Sequence, residues 1–143
     1  MRAGRPRWQA AGVGAALIEE ATRRSGVCWL VADGQEGQPV WARWHDGAAH
    51  LVTGGLEQPL AGVHDGDRVL VVVRSKERQA DRVVQWWARV RELPPGGEQW
   101  SQVVPVLHAQ RLNAPDGQDQ PARWARESRV LTLLPDGEEP VVR

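Results

Sequence analysis

The residues with the most chemical content are cationic. The tripeptide RSK at 74–76 offers two cations and a hydroxyl, the group types that hold a phosphate. It lies in the most basic stretch of the chain, where Arg68, Arg74, Lys76, Arg78, Arg82, Arg89 and Arg91 face only Glu77 and Asp81. The same composition suits a charged hairpin end that discourages edge-to-edge strand pairing, and the pattern alone favours that simpler reading. His45 and His50 are close enough in sequence to share a face. No second cysteine or histidine-rich cluster completes a metal set around them. The stretch HAQRLNAPDGQDQPARWARES, 108–128, concentrates Arg and Trp around a polar, proline-framed loop. It reads either as a grip for an anionic or aromatic partner or as a connector.

Other familiar chemistry is absent. GVGAAL places glycines before a helix, but no strand precedes it and no complete GxGxxG is present. Ser25, Ser75, Ser101 and Ser128 sit in no GxSxG elbow. Cys28, beside Trp29 in an apolar run, reads as a small core residue. The carboxylates are dispersed, and no two are brought together as an acid and base pair.

The elements that must position these residues follow from periodicity. Val13, Leu17 and Ala21 recur at a spacing of four within a helix expected over 10–24, with Arg23 and Arg24 at the negative end of its dipole. Val27–Ala32 is a first strand, ended by the turn-rich DGQEGQP. Runs 40–45 and 48–53 flank Asp46-Gly47, a pair that favours a two-residue hairpin because both turn positions need positive φ. That turn predicts the pairs His45–Ala48, Arg43–His50 and Trp41–Val52. One face then carries Val40, Ala42, Trp44, Ala49 and Leu51, a core face. The other mixes Trp41, Arg43, His45 and His50, too aromatic for plain solvent and too polar for a core, which suggests a ligand surface or subunit interface.

Arg68–Ser75 is a valine-dense strand expected to be covered on both faces. Its partner, 82–93, alternates Val84, Trp86, Ala88 and Val90 with Val83, Gln85, Trp87, Arg89 and Arg91, repeating the apolar and mixed asymmetry. After PPGGEQ, Trp100, Val103, Val104 and Leu107 mark a helix that Pro105 is expected to kink or restart. Residues 111–120 read as irregular, Pro121 as the first position of a short helix through Arg126, and Arg129–Leu134 as a last strand. The total is mainly β with flanking helices: about six strands joined by short turns, an antiparallel barrel or sandwich. Too few helices lie between strands for parallel crossovers.

Composition sets the bounds. The 143 residues fit one domain, with frayed ends expected at about 1–9 and 136–143. Eighteen basic side chains balance eighteen acidic ones, so the electrostatic pull of a general nucleic-acid binder is missing. One cysteine favours a reducing, cytoplasmic setting. The basic and then apolar N-terminus faintly mimics a secretion signal, but Glu19 and Glu20 cut it short, and no run approaches a membrane span. The arginine excess over the lone Lys76 matches the codon bias of a GC-rich genome.

In this order, the segments GVCWLVA, WARWHDGAAHLVTGG, RVLVVVRSK, RVVQWWARVREL and VLHAQRLNAPDGQDQPARWARESRVLTL resemble the pyridoxamine 5′-phosphate oxidase-like superfamily of flavin-binding split-barrel proteins. The resemblance is greatest to a small actinobacterial branch in which WHDG, VTGG, VRSK, RLN and RWARES recur together. It implies a six-stranded antiparallel split β-barrel forming a homodimer, with FMN or a deazaflavin held between subunits and its phosphate near basic strand ends. On that basis Trp41, Arg43, His45, Trp87 and Arg89 lie at the dimer seam or cofactor cleft. Flavin-holding members place basic and hydroxyl groups where this chain has Thr53, Gly54, Gly55, Glu57 and Gln58, and Glu57 would repel a phosphate. Thr53 and Gln58 remain candidates there, with Arg74, Ser75 and Lys76 as substitutes. Arg111 and Trp124 would brace the dimer or, second, touch the cofactor. The alternative is a non-enzymatic binding or interaction protein that keeps the fold without flavin.

Overall fold

The computed structural model describes residues 13–76, 81–110 and 117–143. Its elements run α1 (Val13–Ser25), β1 (Val27–Val31), β2 (Gln38–Trp41), β3 (Arg43–His45), β4 (Ala48–Thr53), β5 (Arg68–Lys76), β6 (Asp81–Leu93), α2 (Glu98–Ala109), a 3₁₀ turn (Gly117–Asp119), α3 (Gln120–Glu127), β7 (Arg129–Pro135) and β8 (Val141–Val142). All described pairings are antiparallel, in the order β2-β1-β5-β6-β7-β4-β3, with β8 added to β6. The two ends of that order, β2 and β3, are separated in sequence by Ala42 alone, so the sheet curls round until one continuous segment closes it. The result is a mainly β, nearly closed split barrel with flanking helices.

The expected six strands become seven along the barrel path because the segment 40–45 changes partner halfway. Arg43, Trp44 and His45 pair with β4 as the hairpin predicts, and Asp46 and Gly47 both take positive φ, 50° and 81°. Trp41 does not pair with Val52. It pairs with Val27 of β1, and the Ala42 N–H donates to the Gly26 carbonyl at 3.0 Å. The gap this leaves beside β4 is filled by a side chain, described below.

Alternation puts Leu30, Val40, Trp44, Leu51, Val71, Val73, Val84, Trp86 and Leu133 inside the barrel. Trp44 and Trp86 meet edge to face, their ring centroids 6.1 Å apart. Helix α1 docks through Ile18, Ala21 and Thr22, the last accepting the Trp86 indole N–H at 3.1 Å. The buried stripe is therefore turned from the Leu17 position towards Ile18, leaving Leu17 half-buried at its edge. Strand β5 is enclosed on one face more than the other: Val69, Val71 and Val73 are buried, while Leu70 and Val72 are half-buried, with no helix over that outer side among the described residues.

A second apolar cluster lies outside the barrel, where Val103, Val104 and Leu107 of α2 and Trp124 of α3 cover Val52, Leu93 and Val130. Pro105 lies inside α2, which runs on without a break. Pro121 stands in the first turn of α3, as expected. Within 136–143, the segment expected to fray, Val141 and Val142 pair with Gln85 and Val84. Asp136 and Glu138 hold Arg68.

Candidate functional site

Outside the barrel, register brings together residues that the sequence keeps far apart. Arg43 of β3 faces His50 of β4, His50 faces Thr132 of β7, and Thr132 faces Arg91 of β6. These side chains form one polar row across four neighbouring strands, about 14 Å from end to end at roughly 4.8 Å per strand. The mixed faces of the first hairpin and of β6 are thus one surface, joined through β7.

His50 is the fixed centre of the row. Its Nε2 lies 2.9 Å from the His45 carbonyl, which can only accept, so Nε2 carries the proton and donates. Nδ1 lies 2.9 Å from Thr132 Oγ1 and accepts the hydrogen bond that the hydroxyl donates. Burial pushes the imidazole pKa below its ordinary value, outweighing the opposing effects of the His45 carbonyl bond and of Asp46. The ring is held neutral. By contrast, Arg43 and Arg91 at the ends of the row are exposed and have no ion-pair or hydrogen-bond partner among the described residues.

Two recesses flank His50. One is a cleft of about 680 Å³ between the β2–β3 segment and the end of α2, lined by Trp41, Arg43, His50, Leu107 and Gln110. Its volume is within the range of small-molecule sites. Trp41 is 64% exposed there, an unusual state for so large an apolar ring. The other is a smaller cavity of about 220 Å³ under the first turns of α2, lined by His45, Asp46, His50, Arg91, Gln99 and Gln102 among others.

The strand end at 53–58 is arranged for a different task. Gln58 Nε2 donates to the carbonyls of Trp41 and Val52, both at 3.0 Å, and Gln58 Oε1 accepts the Trp41 N–H at 2.6 Å. The amide therefore stands in for the missing backbone pairing between Trp41 and Val52. Thr53 Oγ1 donates to the Gln58 carbonyl at 2.7 Å, and the Gly54 N–H donates to the same oxygen at 3.2 Å. A Cβ on Gly55 would lie 3.0 Å from the Glu127 carbonyl oxygen, so this loop must pass close beside α3. Glu57, itself buried, pairs with buried Arg123 at 3.1 Å. The polar groups here are already engaged: Thr53 Oγ1 bonds the Gln58 carbonyl, the Gln58 amide bonds Trp41 and Val52, and Glu57 pairs with Arg123.

The remaining candidates are dispersed. Trp87 lies beneath Arg68, whose guanidinium carbon is 4.1 Å from a ring centroid of the indole, in a separate recess of about 500 Å³ beside Val31 and Leu70. Arg89 donates to the Gly66 carbonyl at 2.9 Å. Arg74 is exposed near the far end of β5, where the backbones of Ser75 and Lys76 pair with Arg82 and Asp81. The side chains of Ser75 and Lys76, and all of Arg111, lie outside the described residues. Trp124 is fully buried in the outer cluster, edge-on to His108, so its ring packs the core and does not face a surface ligand. His108 in turn donates from Nδ1 to Gln120 Oε1 at 2.9 Å, tying α2 to α3.

Sequence reasoning missed Thr132, Gln99, Gln102 and Gln110. Thr132 had a signal as the one polar residue in VLTLL, and Gln99 and Gln102 sit three apart beside the apolar stripe of α2. Among the described residues no group of three or more His, Cys, Asp or Glu could hold a metal ion, and no helix is long and apolar enough to cross a membrane.

No protein-family model matches the chain, and no curated protein matches it. Solved structures do. HutZ, the heme storage protein of Vibrio cholerae, is 12% identical with a TM-score of 0.61, over 89% of this chain and 92% of that one. A FAD-binding protein from Mesorhizobium loti is 17% identical with a TM-score of 0.58, over 91% and 92%. A protein from Corynebacterium glutamicum named for pyridoxamine 5′-phosphate oxidase is 12% identical with a TM-score of 0.50, over 87% and 84%. The shared feature is the fold, the split barrel.

Proposed function

We propose that this chain is a homodimeric split-barrel protein that holds a flavin-type cofactor, FMN or a deazaflavin, in the Trp41–Arg43 cleft, and that it works in the cytoplasm as an oxidoreductase. The observation that carries this reading is the exposed Trp41 indole beside the Arg43 guanidinium, which has no partner among the described residues, in one cleft. An indole face suits a flat polycyclic ring, and a guanidinium suits a phosphate. Leu107 supplies apolar wall and Gln110 an amide at the rim. When bound, the flavin supplies the electron-transfer chemistry, and the protein orients it.

Trp41 also continues the outer face of the sheet, which supports a second copy as the partner. Across the strands, Pro39 faces Trp29, Trp29 faces Val72, Val72 faces Gln85 and Gln85 faces Val141. Trp29 is 45% exposed and Val141 50%. A largely apolar patch of this kind, with Gln85 as its polar member, suits an interaction surface, and self-association about a two-fold axis covers it on both copies at once.

The test is the visible spectrum of gently purified protein, followed by fluorescence titration with FMN, riboflavin and a deazaflavin. Arg43→Ala is expected to weaken FMN about tenfold or more while changing riboflavin little, because only FMN carries the phosphate. Trp29→Glu is expected to shift the sedimentation coefficient to that of a monomer. Absence of binding by any of the three ligands overturns the cofactor reading. A monomer in the parent protein overturns the dimer. A second reading, a binding protein that keeps the fold without flavin, is favoured by the Thr53–Gln58 loop, whose side-chain donors are already bonded to backbone carbonyls. Colourless protein that binds none of the three ligands selects it.

A further inference from the structure

The smaller cavity beside His50 is a site in its own right. We propose that it binds a small organic carboxylate carrying a second hydrogen-bonding group, held at the carboxylate end by Arg91. This goes beyond the cofactor assignment and holds whatever fills the Trp41 cleft. The cavity lies on the opposite side of His50 from that cleft, and both recesses share His50 as a wall.

The donor set selects the ligand. Arg91, Gln99 and Gln102 line the cavity, and none has an ion-pair or hydrogen-bond partner among the described residues. A guanidinium and two amides bordering one cavity offer N–H donors of the kind that a planar carboxylate satisfies with paired hydrogen bonds. His50 and Thr132 are bonded to each other, so they shape the wall without competing for the ligand. Asp46, at the hairpin tip, also lines the cavity and would repel a second anionic group. It favours a hydroxyl or ammonium at that end of the ligand. Val103 and Leu134 provide the apolar lining between the polar ends. A volume of about 220 Å³ corresponds to roughly seven groups of water size at about 30 Å³ each, which matches a short hydroxy or amino acid.

The probe is L-lactate, with its neutral amide, lactamide, as the isosteric control. Binding is followed by two-dimensional NMR of the histidine ring signals on the full chain, since His45 and His50 both line the cavity. Lactate is expected to shift both rings saturably, and lactamide to bind at least tenfold more weakly. Arg91→Gln should weaken lactate about ten- to a hundredfold, the loss of a charge-assisted hydrogen bond. Arg91 is exposed, so its replacement is expected to leave the melting temperature unchanged, and Gln102→Ala provides a second, independent loss of affinity. Equal binding of lactate and lactamide, linear shifts that never saturate, or unchanged lactate affinity in both variants would each overturn the proposal.

Discussion

Replacing Gln58 with alanine removes three hydrogen bonds at the place where the barrel changes partner strands. It leaves the Trp41 N–H, the Trp41 carbonyl and the carbonyl of fully buried Val52 without the amide that joins them. At about 1 kcal/mol net for each bond, the loss is about 3 kcal/mol. For a chain of this size that corresponds to a fall in melting temperature of about 6–12 °C, at about 2–4 °C per kcal/mol. Gln58→Glu is a sharper version: it keeps an acceptor for the Trp41 N–H but sets a carboxylate against two carbonyl oxygens. Its loss should equal or exceed that of the alanine variant at neutral pH. Thermal and urea unfolding measure both, and FMN affinity is read on whatever fraction stays folded. Unchanged melting in both variants, with FMN affinity alone reduced, would show that Gln58 contacts the cofactor and is not a stand-in for a strand.

The pH dependence of stability should carry the mark of His50. Because its folded-state pKa lies below the unfolded value of about 6.5, stability is complete above that pH and falls as pH drops through the folded value, with a slope of at most about 1.4 kcal/mol per pH unit. His50→Gln should flatten this segment of a urea-derived stability curve, and an identical slope in the variant refutes the assignment. Trp124→Ala should cost about 3–5 kcal/mol, as for other buried tryptophans, with any loss of cofactor affinity following the unfolded fraction. A cofactor-specific loss in stably folded Trp124→Ala would place that ring at the ligand after all. Burial pushes the Cys28 thiol up to about 12, so a disulfide reagent at neutral pH should label it only as fast as the chain unfolds. Rapid labelling of folded protein would contradict the enclosed strand.

Much of the barrel was legible because its signals are local. Asp46-Gly47 specifies its turn through backbone conformations that two adjacent residues must adopt, so three residues of register followed correctly. The alternation of β6 likewise separated Trp86 from Trp87 without any tertiary information. The pair Trp41–Val52 failed because Gln58, a side chain from a later loop, outcompetes the backbone for the same positions, and such a substitution leaves no periodic trace. The polar row could not be read from the sequence at all. It depends on β7 inserting between β4 and β6, strands far apart in the chain. The direction of Trp124 was not legible either: the Arg-rich surround suits both bracing and a ligand grip, and only the fold shows that α3 turns the indole inward and leaves Arg126 on the outside.

The short strand β8 bears on how the molecule behaves at high concentration. β7 pairs with β6 only over Ala88–Leu93, which leaves the first half of that edge as a row of backbone donors and acceptors. Val141 and Val142 occupy it at Gln85 and Val84, and the Arg143 N–H and carbonyl bond reciprocally to Val83 at 2.9 and 3.1 Å. A bare edge of this kind is a template on which other chains add strands and polymerise. Val141–Arg143 therefore cover this stretch of edge and keep its backbone groups from pairing with another chain.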